Sequence, residues 1–193
     1  MKTLLRIDSS LRFEHSDSRN FGDYFVQQWK QSNPGGHIIK RDVTKNTIPH
    51  LNQHAVEGFY DNSVQSELLQ LSDRLIEELC QADEILVTAP MYNFGIPSSL
   101  KAYFDLVVRS GKTFRYEDEP IGLLQNKKAF IITAMGDKKQ VEFSLMELHL
   151  KQLFSYMGIT EIYFFSINGT EERSLVKKRC TSLKMNIINI LKN

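Results

Sequence analysis

Five short apolar runs, separated by stretches of helical periodicity, constrain this chain more than any other feature. They are Thr3-Leu4-Leu5-Arg6-Ile7-Asp8, His37-Ile38-Ile39-Lys40-Arg41-Asp42, Glu84-Ile85-Leu86-Val87-Thr88-Ala89, Lys128-Ala129-Phe130-Ile131-Ile132-Thr133 and Glu161-Ile162-Tyr163-Phe164-Phe165. Each has the length of a strand and is too short for a buried helix. Helices are expected over about residues 18–31, where Phe21, Phe25, Val26 and Trp29 share a face, and over about 63–81, where Leu68, Leu71, Leu75 and Leu79 recur. A third starts at Ser98, its plausible N-cap, carries Leu100, Tyr103, Phe104, Val107 and Val108, and stops before Gly111. Two more are expected over about 140–157, ending at Gly158, and about 172–191. Residues 43–62, polar and holding Pro49 and Gly58, read as a long loop.

Strands alternating with helices call for a parallel sheet covered on both faces. The chain of 193 residues fits a single α/β domain, without internal repeat or linker. For five strands the flavodoxin-like order 2-1-3-4-5 fits best, and its switch point lies between strands 1 and 3. The loops after strands 1 and 3 then share a crevice, with the loop after strand 4 beside them.

Those loops carry the chemistry. After strand 1, Ser9-Ser10-Leu11-Arg12-Phe13-Glu14-His15-Ser16-Asp17-Ser18 brings four serines to the start of a helix. Unpaired amides and the helix dipole favour an anion there. Ser10, Ser16 and Ser18 are the candidate phosphate donors, with the backbone amide of Asp17. The Asp17 carboxylate should turn away, with Arg12 or Arg19 offsetting its charge. A plain helix cap at Ser18, with the other serines decorating a turn, is the competing reading. After strand 3, Ala89-Pro90-Met91-Tyr92-Asn93-Phe94-Gly95-Ile96-Pro97 offers ring faces at Tyr92 and Phe94 and a side-chain amide at Asn93, and has no charge. It suits a flat, polar-edged heterocycle, unless its large side chains merely plug the core. After strand 4, Ala134-Met135-Gly136-Asp137 holds a glycine that lets backbone approach a ring. A phosphate at one end and a heterocycle at the other describe a mononucleotide, FMN first.

Composition excludes several classes. Lys and Arg total 24 against 23 Asp and Glu, so no basic excess points to nucleic acid. No apolar run approaches the ~18 residues that span a bilayer. The N-terminus is charged too early for a signal peptide, which leads us to expect a cytoplasmic protein. Cys80 and Cys180 form neither a CxxC nor a metal spacing and read as reduced, packed thiols. Histidines 15, 37, 50, 54 and 149 lack ligand spacing or a triad partner, so no metal site is expected; His15 stands apart only because it lies in the phosphate loop. A receiver domain would need an acidic pair at Asp8, and a phosphatase of this architecture a Cys-x5-Arg loop. A flavodoxin-type electron carrier is the main alternative, though the neutral charge and aromatic loop argue against it; a catalytically degenerate FMN-binding protein, its Ala134–Asp137 loop altered, is another.

Ala89-Pro90-Met91-Tyr92-Asn93-Phe94, with Leu100-Lys101, Tyr103-Phe104-Asp105-Leu106 and Thr113-Phe114-Arg115-Tyr116, resembles the FMN-dependent NADH-azoreductases, also described as NADH:quinone oxidoreductases. The resemblance extends from Ser9-Ser10 and Ser16 to Ser18, through Asp23-Tyr24-Phe25, to Gly158-Ile159-Thr160. It implies a flavodoxin-like homodimer with one FMN per subunit and active sites at the interface. The cofactor-binding positions it implies are Ser10, Ser16, Asp17 and Ser18, then Met91, Tyr92, Asn93 and Phe94, then Ala134, Met135, Gly136 and Asp137. That last motif is often Ser-Arg-Gly-Gly in the family, and only Gly136 survives here. Phe114 and Tyr116 share a face of an extended piece and are assigned to the substrate pocket; their cover is a partner subunit, a ligand or the preceding helix. The implied reaction takes two electrons from NADH or NADPH and passes them to a quinone or azo compound by a ping-pong sequence, without a catalytic side chain. No Gly-x-Gly-x-x-Gly occurs, consistent with donor and acceptor docking at one shared face.

Overall fold

The computed structural model describes residues 1–61, 63, 65–136, 144–170 and 173–192, without the side chains of 173–179. In chain order the elements are β1 (Thr3–Asp8), α1 (Asp17–Ser32), β2 (His37–Asp42), α2 (Gln53–Tyr60), α3 (Glu67–Gln81), β3 (Glu84–Pro90), α4 (Ser98–Val107), β4 (Phe114–Tyr116), β5 (Pro120–Gly122), β6 (Lys128–Met135), α5 (Leu145–Tyr156), β7 (Glu161–Asn168) and α6 (Arg173–Lys192). The main sheet runs β2-β1-β3-β6-β7, all parallel. With the β4–β5 hairpin set aside, this is the expected 2-1-3-4-5 order.

Alternate strand residues point to opposite faces. Leu5, Ile7, Ile85, Val87, Ala129 and Ile131 pack with Leu75 and Leu79 of α3, Tyr103 and Phe104 of α4, and Leu150 and Phe154 of α5. Leu4, Leu86, Phe130, Ile132 and Phe165 pack with Phe21, Phe25 and Trp29 of α1 and Ile187 of α6. Burial on both faces explains why the strands read as nearly continuous apolar runs. Each fully buried large side chain contributes about 1.5–3 kcal/mol, and Phe25, Trp29, Phe104 and Phe154 are all at 1% exposure or less.

The exceptions are Arg6 and Asp8, polar residues pointing from β1 toward α1. Arg6 Nε lies 2.9 Å from Asp8 Oδ2, and Arg6 Nη1 lies 2.5 Å from Asp23 Oδ1 of α1. Gly22 makes room for this: a Cβ there would lie 2.6 Å from the Thr88 methyl and 3.1 Å from Arg6.

Several expected boundaries move. The loop over 43–62 contains α2, capped by the Asn52 side chain. The helix expected from 63 starts at Glu67, capped by Ser66. Ser98 is the first residue of α4 rather than its cap, which is Pro97 with no side-chain bond. β6 and β7 continue to Met135 and Asn168, so Ala134 and Met135 are strand residues, not loop. The start of the helix expected from 140 falls outside the described residues; α5 begins at Leu145. Between α4 and β6 the chain forms an antiparallel hairpin, β4–β5. It locks onto the end of α5: the Leu124 amide donates to the Met157 carbonyl at 2.8 Å, and a Cβ at Gly122 would lie 2.0 Å from the Gly158 nitrogen. Among the described residues no helix is long and apolar enough to cross a membrane.

Candidate functional site

The chain leaves β1 for the face shared by α1 and α6, and leaves β3 for the opposite face. Diverging connections from adjacent strands open a crevice at their carboxyl ends. One cavity of about 300 Å³ fills it, lined by Ser10, Arg12, His15, Ser16, Asp17, Ser18, Pro90, Met91, Tyr92, Ala134, Gly136 and Thr170. Small-molecule sites begin at about this size.

The serine end is built from the helix start. Ser16, not Ser18, is the N-cap of α1, accepting from the Arg19 amide through its side chain. Its hydroxyl donates to Ser10 Oγ at 3.0 Å and lies 3.2 Å from Ser18 Oγ. Three nearly buried hydroxyls thus converge beside the positive end of a helix 16 residues long. Their hydrogen bonds run chiefly to one another, so they can turn to an anion without breaking a bond to the core. Asp17 lines the same cavity.

Arg19 does not offset Asp17, contrary to one expectation. Its guanidinium donates to Asp42 at 2.7 Å, to the Ser10 carbonyl at 2.6 Å and to Thr44 Oγ1 at 3.0 Å. It therefore ties the loop after β1 to the end of β2. Arg12 is the arginine that lines the cavity, together with His15, whose φ of 56° is left-handed. Ser9 stitches the loop to β3 through its amide and hydroxyl, both donating to the Thr88 carbonyl.

Burial alone would raise the Asp42 carboxyl, but hydrogen bonds from Arg19, Thr44 and Lys45 overcome it and hold the group well below the usual carboxylate range. The unfolded chain therefore binds this proton first. The stabilisation is present above about pH 4 and drains away as pH falls below it. We expect Asp42→Asn to flatten the acid side of a stability-against-pH curve measured by urea unfolding, leaving its neutral side parallel to wild type.

The aromatic end is a tight turn. The Tyr92 and Gly95 backbones exchange hydrogen bonds at 3.1 and 3.0 Å, with Asn93 at φ 49° and Phe94 at φ 65° between them. Consecutive left-handed residues define this reversal. Asparagine tolerates the conformation, whereas phenylalanine costs about 1–2 kcal/mol there. Phe94 is 80% exposed, so burial within its own chain does not offset that cost. Phe94 itself lines neither of the two cavities that border this turn. The Met91 amide donates to the Ala134 carbonyl at 2.8 Å, joining this turn to β6, and Tyr92 Oη accepts from the Leu11 amide, joining it to the serine loop.

Of the expected positions, Ser10, Ser16, Asp17, Ser18, Met91, Tyr92, Ala134 and Gly136 meet at one cavity. Met135 does not: its side chain is 7% exposed and packs into the core under α5. Asn93 lines a second cavity of about 980 Å³, which shares Met91 and Tyr92 with the first and reaches Thr44, His50, Lys101 and His149. Asp137 lies outside the described residues. Phe114 and Tyr116 sit elsewhere, past the far end of α4, which begins at the site and, with ten residues at 1.5 Å each, carries the chain about 15 Å away. Phe114 is buried against Tyr116 and Tyr156, with centroids 5.5 and 4.7 Å apart, so α5 supplies part of its cover. Sequence reasoning missed Thr170, whose amide donates to the Met135 carbonyl; its only signal was a place just beyond the strand beside β6. Among the described residues no group of three or more His, Cys, Asp or Glu could hold a metal ion.

A family model for the flavodoxin-like fold matches residues 1–184. The FMN-dependent NADH:quinone oxidoreductase of Cellvibrio japonicus (strain Ueda107) is 37% identical over 176 residues, covering 88% of each chain. That of Marinomonas sp. (strain MWYL1) is 46% identical over 142 residues, 70% of this chain and 72% of the relative. The FMN-dependent NADH-azoreductase from Bacillus anthracis str. Ames Ancestor, solved in complex with FMN, superposes with a TM-score of 0.86 at 18% identity, covering 100% of this chain and 98% of that one. This last likeness establishes the fold alone. The sequence identity and the length it spans establish more: the chain belongs to the FMN-dependent NADH:quinone oxidoreductase family, on the flavodoxin-like fold.

Proposed function

We propose that the chain is an FMN-dependent oxidoreductase that passes two electrons from NADH or NADPH to quinones and azo compounds. One observation carries this reading: three buried serine hydroxyls at a helix start, the Met91-Tyr92 turn, Ala134 and Gly136 line a single cavity. The donor set fits FMN. Neutral hydroxyls and the helix dipole suit a phosphate ester, and an uncharged turn with aromatic faces and backbone amides suits a heterocycle. When bound, FMN supplies redox chemistry that no side chain here provides. Ser10, Ser16 and Ser18 hold the phosphate, and Arg12 lends positive charge against Asp17. Met91, Tyr92 and the Ala134–Gly136 backbone orient the ring system. The larger cavity, which shares Met91 and Tyr92, receives donor and acceptor in turn.

The test is an absorption spectrum of the purified chain, reconstituted with FMN, followed by NADH under nitrogen. A yellow protein that bleaches, and recovers its colour with a quinone, supports the reading. A chain that binds no FMN defeats it. Parallel double-reciprocal plots for NADH and quinone are the expected kinetic pattern.

The assembly is a homodimer on this reading. Tyr116, 65% exposed on its hairpin, contributes to a substrate site only as part of a second copy. Tyr116→Ala is therefore expected to raise the quinone KM by about tenfold, a loss of roughly 1.4 kcal/mol, with FMN affinity unchanged. Sedimentation should report twice the mass of 22.4 kDa. A monomer, or an unchanged KM, removes the hairpin from the site.

A further inference from the structure

Glu147 lies in the first turn of α5, is 3% exposed, and makes no ion pair among the described residues. Among the described residues its carboxylate is held by hydrogen bonds alone. Oε2 accepts from the Ser144 amide at 2.9 Å and from Ser144 Oγ at 3.1 Å. The Glu147 amide in turn donates to Ser144 Oγ at 3.2 Å, completing a capping box. That accounts for one half of the group. The other half reaches out of the helix: Oε1 accepts from Thr133 Oγ1 at 2.8 Å and also from Ser166 Oγ.

A helix cap does not need this second pair of bonds, nor does it need burial. A buried carboxylate without a cation is costly unless its lone pairs are satisfied. Thr133 and Ser166 are register partners on β6 and β7. Thr133 immediately precedes Ala134, and Ser166 lies four residues before Thr170; both Ala134 and Thr170 line the smaller cavity, as does Gly136. Ser144 is where the connection from β6 enters α5.

We propose that Glu147 is a positioning residue for the cofactor cavity. It clasps the ends of β6 and β7 to the start of α5, and thereby holds the Ala134–Gly136 backbone and Thr170 in place along the cavity wall. The inference rests on the FMN reading of that cavity for its consequence, but not for the clasp itself.

Glu147→Gln and Glu147→Ala separate the roles. A glutamine can accept from Ser144 through its oxygen and donate to the Thr133 and Ser166 hydroxyls, which rotate to accept. Alanine loses all four bonds. In the flavin-free chain, hydrogen exchange at residues 134–136 and 166–170 should quicken about tenfold or more in Glu147→Ala and stay near wild type in Glu147→Gln, with β1 amides unchanged in both. FMN and riboflavin dissociation constants, read by flavin fluorescence, should rise together by about 10–100-fold in Glu147→Ala, because ångström-scale misplacement of a site wall costs this much. Thr133→Val removes one donor from Oε1 and should show the same pattern more weakly, even if Glu147→Ala does not fold.

Unchanged exchange in both Glu147→Ala and Thr133→Val, or exchange that quickens equally in β1, reduces Glu147 to a helix cap and overturns the proposal. So does a loss of FMN affinity without a matching loss for riboflavin, which would place the effect at the phosphate end. A wild-type chain that binds neither flavin defeats the FMN reading, and hydrogen exchange then decides the clasp by itself.

Discussion

Replacing Ser10, Ser16 and Ser18 together by alanine lowers FMN affinity about a thousandfold and leaves riboflavin affinity within about threefold of wild type. The size follows from the charge of the ligand. A hydrogen bond to a charged group contributes about 1.5–3 kcal/mol. Three at the lower figure exceed 4 kcal/mol, and about 1.4 kcal/mol is a tenfold change. Riboflavin lacks the phosphate, so it reports on the ring end alone. Ser16 also caps α1, and its loss destabilises the fold by about 1 kcal/mol. Fluorescence titration of both flavins, with thermal unfolding beside it, checks the outcome. Parallel losses for the two flavins would show that the serines shape the cavity rather than hold an anion.

Arg6→Met is the second large effect, and it strikes the foundation of the same loop. Arg6 is 5% exposed and joins Asp8 to Asp23 across the interface between β1 and α1. Without it, Asp8 keeps the Thr88 hydroxyl at 2.8 Å and a distant Arg19 at 3.9 Å. Breaking one side of a buried ion pair costs about 3–5 kcal/mol. In a chain of 193 residues that lowers the melting temperature by roughly 6–20 °C. Because Asp8 ends β1 just before Ser9 and Ser10, FMN affinity should fall with stability. Arg6→Met combined with Asp8→Asn should recover part of the loss, since the buried carboxylate is gone and the remaining one, Asp23, has a side chain 70% exposed to water. Thermal melts of the single and double variants decide the point, and a double variant no more stable than the single one refutes this account.

The two groups of residues differ in how legible they are from sequence. The serines announce themselves by clustering before a helical pattern, although four serines in ten residues do not say which one caps; the structure selects Ser16. Arg6 and Asp8 sit in a run that reads as an ordinary strand. Nothing local shows that two of its side chains point at α1 and need Asp23 for a partner, because that depends on which face α1 covers. Helix α2 was hidden for another reason. Its eight residues are too few to be stable in isolation, and its stability comes from packing on α3. Glu147 had a readable signal in the Ser144-Leu145-Met146-Glu147 spacing of a capping box. The bonds to Thr133 and Ser166 had none, since they cross from α5 to two strands.

Local periodicity and turn chemistry alone determined the alternating elements, the parallel sheet and the two loops richest in polar and aromatic groups. Both are short-range properties, set by which neighbouring residues can share one buried face. Tertiary packing alone decided that Met135 turns into the core while Ala134 and Gly136 face the cavity, that Arg19 serves Asp42 rather than Asp17, and that Phe114 and Tyr116 lie beyond the far end of α4 and line neither cavity. Those outcomes depend on the direction each strand and helix takes across the sheet, and contacts between distant segments exist only once the whole chain has closed around its two cores.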